Sequence, residues 1–114
     1  MEFAMIRQSY AAVVERNVLW EGDFVTEPYE CGWATEAIFF VRRLESEGTV
    51  AGTRLHVQIS PDGMRWCDEG TVLRLTEAEI DFCKVTHFGN WLCLRGELSQ
   101  GASMRVIVTL VLKE

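Results

Sequence analysis

The second half of the chain leaves almost no room for a helix. From Thr53 to Leu112, short segments rich in Val, Ile, Leu, Phe and Trp recur about every 10 residues, with turn-forming residues in the gaps. The clearest segment is Thr53 to Ser60. Leu55, Val57 and Ile59 alternate with Arg54, His56 and Gln58, the period of two that marks a strand with one buried face. It ends at Ser60-Pro61-Asp62-Gly63, where Pro presets φ and Gly supplies the positive φ that closes a turn. A partner strand through Met64, Arg65 and Trp66 would complete a hairpin. Thr71 to Leu75, Ile80 to Thr86, Trp91 to Leu98 and Met104 to Leu112 read as further strands. The turns between them are Asp68-Glu69-Gly70, Phe88-Gly89-Asn90 and Ser99-Gln100-Gly101. Strands this closely spaced pair antiparallel, in a sandwich or a barrel.

The first half reads less sharply. Tyr10 to Val14, Val18 to Trp20 and Phe24 to Thr26 are short strand segments around the turn Glu21-Gly22-Asp23. Ala34 to Ser46 carries two signals. Ile38, Val41 and Leu44 sit at helical spacing, whereas the run Ile38-Phe39-Phe40-Val41 suits a buried strand. The strand reading is preferred because the rest of the chain is a sheet that needs partners. A short helical turn is an alternative for Glu77 to Ile80.

Composition narrows the function classes. The 114 residues carry 11 Lys and Arg against 17 Asp and Glu, a formal net charge of −6. That balance argues against binding nucleic acid or an anionic membrane surface, both of which reward clustered positive charge. No apolar run approaches the roughly 20 residues that span a bilayer, and the first residues do not form a secretory signal. One domain, residues 1–114, is expected, either cytoplasmic or part of an exported assembly. Cys31, Cys67, Cys83 and Cys93 show no C-x-x-C pairing and read as reduced thiols, with one or two disulfides as the alternative.

The stretch LHVQISPDGMRW, Leu55 to Trp66, resembles the central hairpin of discoidin-like (galactose-binding-like) domains. The stretch HFGNWLCLR, His87 to Arg95, looks like a strand of the same domains, and small β-sandwich modules of phage tails and surface assemblies show similar hairpins. The resemblance implies an all-β, antiparallel two-sheet sandwich of jelly-roll type with about eight strands. It carries no ligand site over, because no position matches one residue by residue. In such a sandwich Leu55, Val57, Ile59, Trp66, Phe82, Leu92, Leu94, Val106, Val108 and Leu110 are expected to share one core.

Several residues invite a functional reading. Trp66 suits stacking on a sugar, but a core position closing the sandwich below the hairpin is the preferred role. Asp62 is a calcium-ligand type, but an Asp in a Pro-Asp-Gly turn ordinarily bonds its own backbone. Cys83 and His87 are types that bind zinc or form a catalytic pair, yet residues four apart on a strand stand about 13 Å from one another. Around residues 20–36, Trp20, Glu27, Tyr29, Glu30 and Trp33 combine rings with carboxylates, a composition suited to a carbohydrate or another small ligand. A solvated acidic loop is the plainer reading. His56 reads as a surface residue, and no metal or cofactor is expected.

Met104 to Leu112 points to association. Val106, Val108, Leu110 and Leu112 form one face, while Ile107, Thr109 and Val111 make the other face apolar as well. A strand of a two-layer sandwich ordinarily turns a polar face outward. The second face is therefore expected to be covered, by Phe3 to Ile6 of the same chain or by another subunit. The expected function is a non-catalytic module acting by self-association or by docking into a larger protein assembly. The alternative is a binding module for carbohydrate or a small ligand.

Overall fold

The structure is a computed structural model and describes residues 9–114. Nine strands build it: β1 (Ser9–Glu21), β2 (Asp23–Val25), β3 (Tyr29–Glu30), β4 (Glu36–Glu47), β5 (Arg54–Ser60), β6 (Cys67–Arg74), β7 (Ile80–Thr86), β8 (Trp91–Glu97) and β9 (Ser103–Lys113). The first sheet runs β1-β9-β4-β7; the second runs β2-β8-β5-β6, with β3 also on β8. All pairings are antiparallel. The two sheets form an all-β sandwich, and no helix occurs among the described residues. Within them no helix is long and apolar enough to cross a membrane.

The core lies between the sheets. Ala37, Phe39 and Val41 of β4 and Val106, Val108, Leu110 and Leu112 of β9 face Leu55 and Val57 of β5 and Leu92 and Leu94 of β8. The ambiguous Ala34 to Ser46 is thus a strand. Its helical spacing is a coincidence of two apolar faces, since Ile38 and Phe40 turn outward between the buried residues. Glu77 to Ile80 forms bends leading into β7.

Two members of the expected core are misplaced. Trp66 lies half-buried in the loop before β6, so the strand expected through Met64, Arg65 and Trp66 begins only at Cys67. Phe82 points away from the core at 57% exposure, while Cys83 and Val85 point in. Ile59 is partly buried against the core's margin.

Local chemistry explains the other departures. The two segments expected before Glu21 are one strand, β1, bent by bulges between Val13 and Glu15 and between Arg16 and Val18. Asn17 takes the positive φ of 55° that the second irregularity needs, a conformation Asn tolerates. Asp68-Glu69-Gly70 is a bulge inside β6 rather than a turn. The pairing jumps from Gln58↔Asp68 to His56↔Val72, and Gly70 absorbs it at φ 113°.

The ninth strand comes from a broken edge. β2 and β3 both pair with β8, at its two ends, and Thr26 to Pro28 lies between them. Pro28 has no N–H to give the ladder. Thr26 repairs the gap: its N–H donates to the Leu94 carbonyl at 2.9 Å, and its buried Oγ1 accepts from the Leu94 N–H at 2.9 Å. Thr26→Val keeps the shape but strands that buried N–H. It should lower stability by about 1–3 kcal/mol in chemical denaturation; an unchanged midpoint would show that Leu94 finds another acceptor.

Candidate functional site

Three surfaces carry the chemistry of this molecule. The first is the outward face of the first sheet. Register places Val13, Thr109, Phe40 and Phe82 in one cross-strand row. Ala11, Val111 and Ile38 lie with Lys84 in the row on one side, and Ile107 and Ile80 alternate with Arg16 and Arg42 in the row on the other. Val13 is 42% exposed, and the Phe40 and Phe82 rings meet at 5.9 Å between centroids. The expected interface residues Ile107, Thr109 and Val111 therefore sit together in the middle of an apolar sheet face and are only partly exposed. Phe3 to Ile6, the expected intrachain cover, lies outside the described residues.

Charges close the face at both ends. Lys113 stands opposite Glu36 at one end, and Arg105 opposite Glu45 at the other. Arg105 and Glu45 are 3.4 Å apart, and Arg42, between Ile107 and Ile80 in the outer row, meets Glu79 at 3.1 Å.

The second surface is a small mouth at one end of the sandwich. Tyr10 of β1 and Tyr29 of β3 stack at 6.5 Å, and with Ser9 and Trp33 they line a hollow of about 360 Å³. Tyr10 is 53% and Trp33 41% exposed. Burial, then the hydrogen bond with Tyr10, raises the Tyr29 phenol above its ordinary value.

Of the ligand residues expected from sequence, Tyr29 and Trp33 therefore meet. Trp20 does not join them: it is 3% exposed in the core, flat against Phe24 at 3.9 Å. Its site reading fails because the strand phase turns it inward. Glu27 and Glu30 are exposed and do not line the mouth; the Glu27 N–H donates to the Glu15 carboxylate at 2.7 Å. Tyr10 escaped the sequence reading because only the meeting of the two sheets brings it to Tyr29.

The third surface is an open cleft of about 880 Å³ on the outward face of the second sheet. Arg54, His56 and Gln58 of β5 line it with Arg95 and Glu97 of β8, and Asp23 and Asp68 complete its walls. Gln58 Nε2 donates to Asp68 Oδ1 at 2.9 Å. His56 was read only as a surface residue. The alternation of Arg54, His56 and Gln58 is visible in the sequence, but their pairing with β8 is not.

The remaining candidates have structural roles. Asp62 Oδ1 accepts from the Met64 and Arg65 N–H groups at 2.9 Å each, and Oδ2 accepts from the Arg65 guanidinium at 3.2 Å. Ser60 Oγ accepts from the Asp62 and Gly63 N–H groups at 3.2 and 2.8 Å. Gly63 sits at φ 80°, and a Cβ there would stand 3.0 Å from the Trp91 ring. The loop is thus held by its own backbone bonds.

The bonds from the Arg65 and Met64 N–H groups lower the Asp62 carboxyl from its ordinary 3.8 to about 2. A depressed carboxylate adds stability above its unfolded value and loses it as pH falls through its folded one. Asp62→Asn should therefore flatten the fall in melting temperature between pH 3.8 and about 2. Parallel melts of the two proteins across that window measure this; superimposable slopes would remove Asp62 as a contributor.

All four cysteines are free. Burial pushes the Cys31 and Cys83 thiols up to about 12 and Cys93 to about 11, so these three are poor nucleophiles and poor metal ligands at neutral pH. Cys83 faces the core, whereas His87 lies beyond the end of β7 at φ 55°. Among the described residues, no three His, Cys, Asp or Glu side chains come together to hold a metal ion.

Neither a family model nor a curated protein matches this sequence. Solved structures do match in fold. The SPBc2 prophage-derived protein YomS is similar at a TM-score of 0.66 and 6% identity, over 100% of both chains. The PBSX exported protein XepA is similar at 0.65 and 6% identity, over 90% of this chain and 36% of that one. This chain thus spans about a third of XepA. A carbohydrate-binding CBM32 domain from Clostridium perfringens, in complex with GalNAc-β-1,3-galactose, reaches a TM-score of only 0.41 at 14% identity, over 88% of this chain and 94% of that one. That value carries no argument for the discoidin-like resemblance. At such identities, YomS and XepA establish a shared β-sandwich fold.

Proposed function

We propose that this chain is a non-catalytic assembly module that pairs with a second copy of itself through the outward face of the first sheet. One observation carries the reading: the middle row of that face, Val13, Thr109, Phe40 and Phe82, carries no charge and is flanked by Ala11, Ile38 and Val111 on one side and by Ile107 and Ile80 on the other, where a two-layer sandwich would ordinarily be polar. Its charges favour a second copy as the occupant. Consider a two-fold axis parallel to the strands, midway between β9 and β4. It lays Lys113 over Glu36 of the second copy, Val111 over Ile38, Thr109 over Phe40, and Arg105 over Glu45. Lys113 and Arg105 then each meet an anion, the uncharged middle rows meet each other, and Arg42, already paired with Glu79, faces Ile107. Such an isologous contact closes as a dimer, and near-aligned packing is the common geometry for two sheets face to face.

The order β1-β9-β4-β7 over β2-β8-β5-β6, with β2 and β3 taken as one broken edge, supports a jelly-roll reading of the sandwich. The discoidin-like relation rests on the sequence of the Leu55 to Trp66 hairpin and of His87 to Arg95. Fold neighbours described as prophage-derived and as exported are compatible with a module that works inside a larger, exported assembly. Light scattering of the wild type over a wide concentration range tests the reading. A mass of two chains is expected, and a single-chain mass even in concentrated solution would overturn it.

The mouth of Tyr10, Tyr29 and Trp33 favours a second reading, a carbohydrate-binding module, because exposed rings at a hollow suit the apolar faces of sugars. It predicts saturable binding on a glycan array, abolished by Trp33→Ala. Identical array profiles for the two proteins would eliminate it.

A further inference from the structure

At the cleft on the second sheet, which Arg54, His56 and Arg95 line and Arg74 adjoins, stands an arrangement that stability alone does not favour. Arg54 stands directly opposite Arg74 across the β5–β6 pair, and His56 directly opposite Arg95 across the β5–β8 pair. Two guanidinium cations in directly opposed positions, as at Arg54 and Arg74, destabilise a sheet. The chain as a whole is acidic, at −6, so abundant carboxylates were available to neutralise these positions. Yet the ion pairs among the described residues engage Arg42, Arg65 and Arg105, and none engages Arg54, Arg74 or Arg95. The same three guanidinium groups make no hydrogen bond either, whereas those of Arg42, Arg43, Arg65 and Arg105 do.

The rest of the cleft has a different character. Asp23, Asp68 and Glu97 supply acceptors, and Gln58 supplies both a donor and an acceptor. No Phe, Tyr or Trp side chain lines it. Its volume of about 880 Å³ falls within the usual range for small-molecule sites.

We propose that this cleft binds a polyol or saccharide carrying one oxyanion group, a phosphate or a carboxylate. The oxyanion sits among Arg54, His56 and Arg95, where planar guanidinium groups match its oxygens two at a time. The hydroxyls lie toward Gln58, Asp68 and Glu97, which accept their protons in hydrogen bonds. Bound anion then supplies the counter-charge that Arg54 and Arg95 lack among the described residues.

Amide chemical-shift titration with D-glucose 1-phosphate, D-glucuronate, D-glucose and inorganic phosphate tests the proposal. Shifts confined to β5, β6 and β8 are expected with one or both anionic sugars, and the tighter of the two names the oxyanion. D-Glucose and inorganic phosphate should each bind at least about tenfold more weakly, the change expected on losing one charge-assisted hydrogen bond. Arg95→Ala should weaken the anionic sugar by a similar factor, and Trp33→Ala should not. Without ligand, Arg54→Ala should melt no lower than the wild type, since it relieves a repulsion. No shifts with either anionic sugar, equal affinity for inorganic phosphate, or a lower melting point for Arg54→Ala would each overturn the assignment.

Discussion

Replacing Trp20 by Ala should cost about 3–5 kcal/mol, the range for removing a large, fully buried ring. Trp20 is contributed by β1 of the first sheet and lies flat on Phe24, which belongs to β2 of the second, at 3.9 Å and 11° between ring planes. The chain crosses between the sheets right there, through Gly22 at φ 59°. Phe24 in turn rests on Gly96 of β8, where a Cβ would stand 2.8 Å from its ring. The three residues form one stack across the sandwich, so Ala at position 20 opens a cavity and leaves Phe24 without its partner. Against the 5–15 kcal/mol of a typical domain, a loss of this size is severe. Trp66→Ala is the internal control: Trp66 lies half-buried on a loop and should cost less. Urea denaturation of both variants decides the ranking. A Trp20→Ala loss below that of Trp66→Ala would mean that the stack does not hold the sheets together.

The same residues show how far sequence alone reaches. Alternation in Leu55, Val57 and Ile59 is sharp because their neighbours Arg54, His56 and Gln58 are polar, and the structure keeps that phase. In Ile80 to Thr86 both phases contain apolar residues, and size misleads. Phe82 looks like the core residue, yet Cys83 and Val85 are inside, since the outward face is itself apolar. Trp66 misleads in the same way: a large ring after a turn suits a core, but the loop held by Asp62 and Ser60 runs on to Cys67 before pairing resumes. The doubled apolar character of β9 was legible because it lies within one strand. Neither the mouth nor the cleft was, since Tyr10 meets Tyr29, and His56 meets Arg95, through pairings distant in sequence.

Ile107→Lys combined with Val111→Lys should convert the paired protein to single chains. Both side chains lie on β9 on either side of Thr109, in the rows that flank the uncharged centre of the proposed contact. Two ammonium groups there would have to lose their water on association, with Ile38 of the second copy over position 111 and the Arg42 cation over position 107. Desolvating an unpaired ammonium costs several kcal/mol, so the association constant should fall by at least about 100-fold. The fold itself should survive. Val106, Val108, Leu110 and Leu112 alternate with the substituted positions, point into the core and are untouched, and at the outward positions a lysine can reach water along the sheet. The variant is therefore expected to show the wild-type circular dichroism with half the wild-type mass by light scattering. A folded variant that keeps the full mass would place the contact elsewhere on the molecule. Lys113→Glu separates the two contributions. It disrupts only the end charges, so it should weaken pairing less than the double lysine variant, and adding Glu36→Lys should restore it by reversing both partners of the same contact.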